Sequence, residues 1–331
     1  MQDPRPDSER FDEIPRRSLT TLGSPVEPCE RLAARVSGMP RLFVKRDDML
    51  GSLVGGNKLR KLEYTMADAL ERGATAIVTV GGVQSNMARI TAQVARRLGL
   101  GCELVLSGER PARSTGNFLV GERLGARVHF VADRTEREIR AAEVASDLER
   151  RGERVARVPL GASDEIGSLG YVRAFRELLE QEPELGVRFD AVYVSSSSGG
   201  TQAGLEVGKR VFGEGTRPRI VGVSPDDPAE SIRQTVTRIG NAMLERVASP
   251  ARIDPAELVV DADFIGDGYG AATEGSREAT ELFADEEGIL LDPIYTAKAA
   301  AALIAHARDG KLGSDSAVLF WHTGGLLNLF D

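Results

Sequence analysis

Short apolar runs and amphipathic stretches alternate along most of this chain. Runs at 76–80, 103–106, 127–131 and 154–158 are rich in aliphatic and β-branched residues and predict strands. Apolar positions between and before them recur at helical spacing and predict helices over 57–72, 86–98, 117–124 and 136–151, the first two stopped by Gly73 and Gly99. Four β/α repeats with short connections predict a parallel sheet clothed by helices. A Gly-rich passage at 161–170 interrupts the rhythm before a helix over 171–181. A second β/α set follows, with strands over 191–195, 219–223 and 317–321 and helices over 201–212, 228–247, 274–286 and 296–308. Upstream, 41–46 reads as a strand, 30–36 as a short helix and 19–30, with Pro25 and Pro28, as a loop. The polar stretch 1–17 reads as a partly disordered arm. The expected fold class is α/β, with two lobes, each a mainly parallel sheet flanked by helices. The expected domains are a small one over 65–170 and a large one from 1–64 plus 171–331.

Composition removes several function classes. At 331 residues, with 41% hydrophobic and 28% charged positions, the chain has the make-up of a globular enzyme with a large core. Lys+Arg 42 against Asp+Glu 50 gives a net charge of -8. The basic residues are scattered, so neither nucleic acid nor an anionic membrane surface is an expected partner. No apolar run approaches the ~18–20 residues a membrane span needs, and the N-terminal stretch lacks the apolar core of a signal peptide. Cys29 and Cys102 lie far apart without a CxxC pair, which suits a reducing, cytoplasmic setting. The three histidines show no ligand spacing, so no metal site is expected.

Five passages could carry chemistry. In Gly55-Gly56-Asn57-Lys58 the glycines suit a tight turn, Asn57 would cap the next helix, and Lys58 would stand in its first turn. The positive end of the helix dipole disfavours a charged lysine, and a neutral amine suits Schiff-base formation. The plainer account is a solvated lysine after a turn. Ser195 to Gly204 follows a strand and opens a helix, where small residues let backbone N–H groups close on a phosphate; Ser198 and Thr201 add hydroxyls. A plain strand-to-helix turn is the alternative, and no Walker lysine follows. Gly81-Gly82-Val83-Gln84-Ser85-Asn86-Met87 could bind a carboxylate or ring hydroxyl, or simply cap a helix through Ser85 or Asn86. Asp292-Pro293-Ile294-Tyr295-Thr296 precedes a helix, and His322-Thr323-Gly324-Gly325 ends a strand, where open α/β sheets bind ligands. Gly266-Asp267-Gly268-Tyr269-Gly270 lacks dinucleotide-fingerprint spacing and reads as a turn, which disfavours a nucleotide-binding Rossmann protein. No nucleophile elbow is present.

Taken together, GGNKLRKLEY, GGVQSN, SSGGTQAGL, YG-x-x-TEG, GILLDPIYTAKA and HTGG, in that order from about Leu19 onward, resemble the pyridoxal-phosphate enzymes of the tryptophan-synthase-β-like type II fold. The resemblance is to the branch that holds 1-aminocyclopropane-1-carboxylate (ACC) deaminase and D-cysteine desulfhydrase. It implies pyridoxal 5'-phosphate as cofactor and a small amino acid as substrate. Lys58 would hold the cofactor through a Schiff base and then move the substrate α-proton. Lys61 with Ser198, Gly199, Gly200 and Thr201 would hold the phosphate, and Asn86 the ring hydroxyl. Ser85, with Gln84, Asn86 and neighbouring N–H groups, would take the substrate carboxylate, and Ser85 would assist proton transfer. Tyr269 and Tyr295 would flank the substrate as acid/base or amine-holding phenols. Thr296 or Thr323 would face the pyridine nitrogen.

Thr296 stands where the ACC deaminases carry a glutamate that keeps that nitrogen protonated. A hydroxyl there suits α,β-elimination and points to the desulfhydrase side. Met87 stands where His or Gln is common in the family and makes the substrate wall apolar; the position either only lines the site or marks a changed substrate, bulkier or less polar than D-cysteine. The reaction expected is elimination to a 2-oxo acid and ammonia, with sulfide released if the substrate is D-cysteine. ACC deamination is the alternative, and a silent homologue that only binds the cofactor is a further one. The resemblance also implies a homodimer.

Overall fold

The computed structural model describes residues 6–20, 23–51, 55–213 and 217–330. In chain order it begins with α1 (Asp7–Asp12), β1 (Val26–Pro28), α2 (Glu30–Arg35), β2 (Arg41–Arg46) and α3 (Asn57–Glu71). There follow β3 (Ala76–Gly82), α4 (Asn86–Leu98), β4 (Gly101–Ser107), α5 (Gly116–Arg123), β5 (Arg127–Val131), α6 (Arg137–Arg150) and β6 (Val155–Val158). The remainder is α7 (Leu169–Leu185), β7 (Ala191–Ser195), α8 (Gly200–Phe212), β8 (Arg219–Val223), α9 (Ala229–Arg246), β9 (Val259–Asp261), α10 (Glu274–Glu287), α11 (Thr296–Arg308) and β10 (Ala317–His322).

Two sheets result. The smaller runs β5-β4-β3-β6 with every pair parallel. The larger runs β1-β2-β10-β7-β8-β9 and is parallel except for β1, which lies antiparallel to β2. The α/β class with two parallel sheets is as expected. Central strands such as β10 are buried at every position, which is why they read as continuous apolar runs rather than alternating ones.

Helix α3 joins the two sheets, and this sets the position of the site. Its apolar face (Leu59, Leu62, Met66 and Ala69) packs with Ile77 of β3 and with Met87, Ile90 and Val94 of α4, against the small sheet. Each of the buried Leu, Ile, Met and Val side chains contributes about 1.5–3 kcal/mol. Its first residues are held instead by the large sheet. Gly56 pairs with Gly324 just beyond β10, and Asn57 N donates to Thr323 O at 3.0 Å. Gly56 takes φ of 146°, and a Cβ there would meet Thr323 O at 2.9 Å. Only glycine accommodates both.

Three readings need correction. Residues 7–12 form a helix rather than an arm, because Phe11 is buried between Tyr64 and Phe212 at centroid distances of 6.0 and 5.4 Å; residues 1–5 lie outside the described residues. Strand β1 occupies part of the expected loop, and β9 was not anticipated. Both are three-residue edge strands, too short for period-two alternation to show.

Candidate active site

A cavity of about 590 Å³ opens between the carboxyl ends of the two sheets, within the usual size for small-molecule sites. The loops after β3, β5 and β6 form one wall and those after β7, β8 and β10 the other.

Lys58, in the first turn of α3, lines this cavity. Burial lowers its amine from 10.5 to about 8, against the pull of the Asp292 carboxylate. Burial is thus the cause of the shift that the helix dipole was expected to supply. Asn57 does not cap α3; its Nδ2 donates to Thr201 Oγ1 at 3.2 Å across the cavity.

The turn after β7 brings Ser195, Ser196, Ser197, Ser198 and Gly199 to the cavity, with Thr201 in the first turn of α8. Lys61 lies directly behind, fully buried, its Nζ donating to Gly161 O at 3.2 Å and Ser163 Oγ at 2.9 Å. Ser163 and Ser198 share a hydrogen bond of 2.7 Å. Burial, and then the neighbouring charge of Lys58, push the Lys61 amine well below its ordinary value. A Cβ on Gly200 would sit 2.6 Å from Ser163 Oγ and Ser168 Oγ and 2.8 Å from Lys61 Nζ. Three donors therefore converge where glycine leaves room, an arrangement suited to a phosphate.

At the small sheet, Ser85 is the N-cap of α4 and accepts from Ala88 N at 3.2 Å. That bond uses its oxygen and leaves the O–H for a ligand. Asn86 Oδ1 and Ser196 Oγ are enclosed without a partner among the described residues, which marks them for a bound group. Met87 touches the cavity but is 2% exposed and otherwise belongs to the core of α3 and α4.

Tyr269 and Tyr295 face the cavity with their hydroxyls 2.6 Å apart. Lys298 Nζ holds this region by donating to Pro225 O, Ile265 O and Gly268 O at 2.9, 2.7 and 3.0 Å. The segment around Gly268, read as a turn, thereby delivers Tyr269 to the site. Burial, and then the charge of Tyr269, keep the Tyr295 phenol protonated well above its ordinary range.

Two expected contacts are absent from this geometry. Thr296 is fully buried; its Oγ1 donates to Asp292 Oδ1 at 2.7 Å and accepts from Asp292 N at 2.8 Å, so it serves the turn before α11. Thr323 lines the cavity instead. Gln84 turns away and accepts from Phe118 N at 3.2 Å at the start of α5. Sequence reasoning gave Asn57 only a capping role and passed over Ser163, Asp226 and Asp227, and also Arg134 and Arg137, although these last five lie in or at the end of loops that follow a strand at its carboxyl end, the one signal that could have found them.

Beneath α3 lies a closed ionic network. Arg60 Nη2 donates to Asp47 Oδ1 at 2.9 Å and Nη1 to Glu177 Oε2 at 2.8 Å. Lys45 Nζ reaches Glu177 Oε1 at 2.5 Å, while Tyr171 Oη and Trp321 Nε1 donate to Asp47 Oδ2 at 2.5 and 2.9 Å. Burial alone would raise both carboxyls. The Arg60 and Lys45 charges more than reverse this, taking Glu177 to about 2 and Asp47 below its ordinary value.

A lysine near neutrality at one wall and a hydroxyl-lined anion cradle at another suit a cofactor with a carbonyl at one end and a phosphate at the other. That defines the class as an α/β enzyme working through such a group. The chain belongs to the pyridoxal-phosphate dependent enzyme family, whose profile matches residues 18–324, and pyridoxal phosphate is its cofactor. It is 38% identical over 322 residues to the ACC deaminase of Burkholderia vietnamiensis, covering 95% of each chain. It is 38% identical over 321 residues to that of Burkholderia cenocepacia, covering 94% of each. It is also similar to the crystal structure of an ACC deaminase homologue, with a TM-score of 0.89 and 33% identity over 99% of this chain and 97% of that one. The chain is accordingly a pyridoxal-phosphate dependent enzyme of the lyase/deaminase type. Among the described residues, no helix is long and apolar enough to cross a membrane.

Proposed function

We propose that the protein catalyses α,β-elimination from a small amino acid in the manner of D-cysteine desulfhydrase, releasing a 2-oxo acid, ammonia and the leaving group. The observation that carries this reading is the placement of two threonines. Tyr295 is followed by Thr296, whose hydroxyl is committed to Asp292, and Thr323 lines the cavity. Neither side chain supplies the carboxylate that would enforce a protonated ring nitrogen, and elimination of a good leaving group does not require one.

Bound in this cavity, pyridoxal phosphate supplies an electron sink for charge developing at the substrate α-carbon. Lys61, Ser163, Ser198 and Thr201, with the backbone at Gly199 and Gly200, hold its phosphate. Asn86 takes its ring hydroxyl, and Lys58 is its covalent anchor. Ser85 and the first N–H groups of α4 hold the substrate carboxylate. Once the substrate amine has displaced it from the cofactor, the Lys58 amine, which burial lowers from 10.5 to about 8, takes the α-proton. The Tyr269–Tyr295 pair donates to the departing group. Residues 65–170 form the small domain and 1–64 plus 171–331 the large one, and their closure excludes water. A homodimer belongs to the same reading.

ACC deamination is the second reading, favoured by the 38% identity to ACC deaminases. Purified holoenzyme is incubated with D-cysteine and, separately, with ACC; sulfide, 2-oxo acid and ammonia are assayed together. Sulfide and 2-oxo acid from D-cysteine with no 2-oxo acid from ACC supports elimination. A 2-oxo acid from ACC alone overturns it in favour of the second reading.

A further inference from the structure

We propose that Lys298 serves as a tethered monovalent cation. Three backbone carbonyls form a cage for an ion of potassium or ammonium size, the Lys298 ammonium fills it, and the filled cage sets the positions of Tyr269 and Tyr295. This holds whichever small amino acid is the substrate.

Lys298 belongs to the GILLDPIYTAKA motif and lies in the first turn of α11, three residues after Tyr295. It is fully buried, and its Nζ donates to Pro225 O, Ile265 O and Gly268 O at 2.9, 2.7 and 3.0 Å. A neutral amine has two N–H groups and an ammonium three, so three donations require the charged form. Burial disfavours that charge and lowers the amine from its ordinary value; the Asp226 carboxylate, next to Pro225, opposes this. The carbonyls come from separate parts of the chain. Pro225 follows β8, while Ile265 and Gly268 belong to the segment between β9 and α10. At Gly268 the backbone takes φ of 128°, a conformation that suits glycine.

Three pieces of the cavity wall meet at this one charge. They are the loop that bears Asp226 and Asp227, the segment that bears Tyr269, and the start of α11 beside Tyr295. The two phenols are thereby brought to 2.6 Å of each other. Without a cation, three carbonyl oxygens would face one another with no donor among them, and the segment would open. Lys298 itself stands behind the wall and acts through the tyrosines, so it is a positioning residue.

The geometry also selects the ion. Backbone carbonyls gathered around a centre can replace the hydration shell of a large monovalent cation. Oxygens 2.7–3.0 Å from the centre stand too far out for Mg²⁺, which takes about 2.0–2.1 Å, or Ca²⁺, which takes about 2.3–2.6 Å. Potassium and ammonium fit. In Lys298→Ala the space left by the stem admits waters that complete the shell.

The test removes the tether and offers the ion back. Wild-type and Lys298→Ala holoenzymes are melted, and assayed on whichever of D-cysteine and ACC the wild type turns over. Both are done in chlorides of lithium, potassium, ammonium, propylammonium and tetramethylammonium at equal ionic strength. Wild type is expected to be indifferent to the cation in both measurements. In lithium or tetramethylammonium, Lys298→Ala is expected to lose about tenfold to a hundredfold in kcat/KM. Potassium, ammonium and propylammonium should raise its melting temperature and return most of the rate. The loss should be much smaller when Tyr269→Phe is already present, because Lys298 acts through that phenol. If Lys298→Ala does not fold, Lys298→Met, which keeps the stem and loses the charge, takes its place, with potassium and ammonium as the rescuing ions. No loss of rate, or variants that no cation rescues in folding, melting or rate, overturns the inference. So does equal rescue by every cation, a wild type that itself needs potassium, or a loss fully additive with Tyr269→Phe. If neither amino acid is turned over, the reading of the reaction falls by itself, and the melting comparison decides the inference.

Discussion

Lys58 carries a burden that its surroundings explain. Its amine sits at about 8 in the folded chain against an ordinary 10.5, so between these values the unfolded chain binds more protons and stability rises with pH. Below pH 8 the folded protein holds a charge its site disfavours. Lys58→Met, measured without cofactor, is therefore expected to melt higher than wild type at pH 7, by an amount on the order of 1–3 kcal/mol. The advantage should shrink as pH climbs from 8 toward 10.5; an advantage constant across that range would mean packing, not charge, is responsible. The same scale shows what a sequence can and cannot say. GGNK and the serine-glycine loop stood out because both bring small residues to a helix start, although each alone also reads as a plain turn, and it was the company of the other motifs that singled them out. Thr296 did not disclose that its hydroxyl belongs to Asp292, nor Gln84 that it reaches α5. Both depend on side-chain direction at turns, which composition does not encode.

At the level of elements, regular β/α units were legible because their hydrophobic period is long and repeated. Edge strands β1 and β9 and the helix α1 were not, since three to six residues carry too little pattern. The network beneath α3 was wholly hidden, its members running from Lys45 to Trp321. It holds the start of α3, and so Lys58, against the large sheet. Asp47→Asn is expected to lower unfolding stability by about 3–5 kcal/mol in urea titrations, because buried Arg60 loses one of its two carboxylate partners and keeps only Glu177. Glu177 titrates near 2 in the folded chain against an ordinary 4.5. Its contribution is complete above pH 4.5 and is lost as pH falls toward 2. Glu177→Gln should be less stable at pH 7 and show a shallower acid decline over that window; an unchanged decline would remove Glu177 from the account.

For the whole molecule, the anion cradle is the joint between the two sheets. Ser163 follows the small sheet's β6, Ser198 follows the large sheet's β7, and Lys61 on the connecting helix bonds to the Ser163 side. A ligand seated there ties both halves to one another. Removing pyridoxal phosphate should therefore lower the melting temperature and broaden or split the transition. Restoring it at about a hundred times its dissociation constant should return about 2.7 kcal/mol. Inorganic phosphate alone should recover part of this in wild type and none in Lys61→Ala. A melting curve indifferent to both ligands would remove the cradle from its role as joint.

The pairing of Gly56 with Gly324 has a consequence for how the protein is made. The turn that aims the reactive lysine is finished by backbone from a strand encoded far downstream, so most of the chain must be synthesised between the two partners. A nascent chain halted before β10 can fold its small sheet, whose strands are contiguous in sequence, yet it has no template against which to set Lys58. Reactivity toward the cofactor is therefore expected to wait on near-complete translation, and chains truncated before β10 are expected not to take up the cofactor in a binding assay.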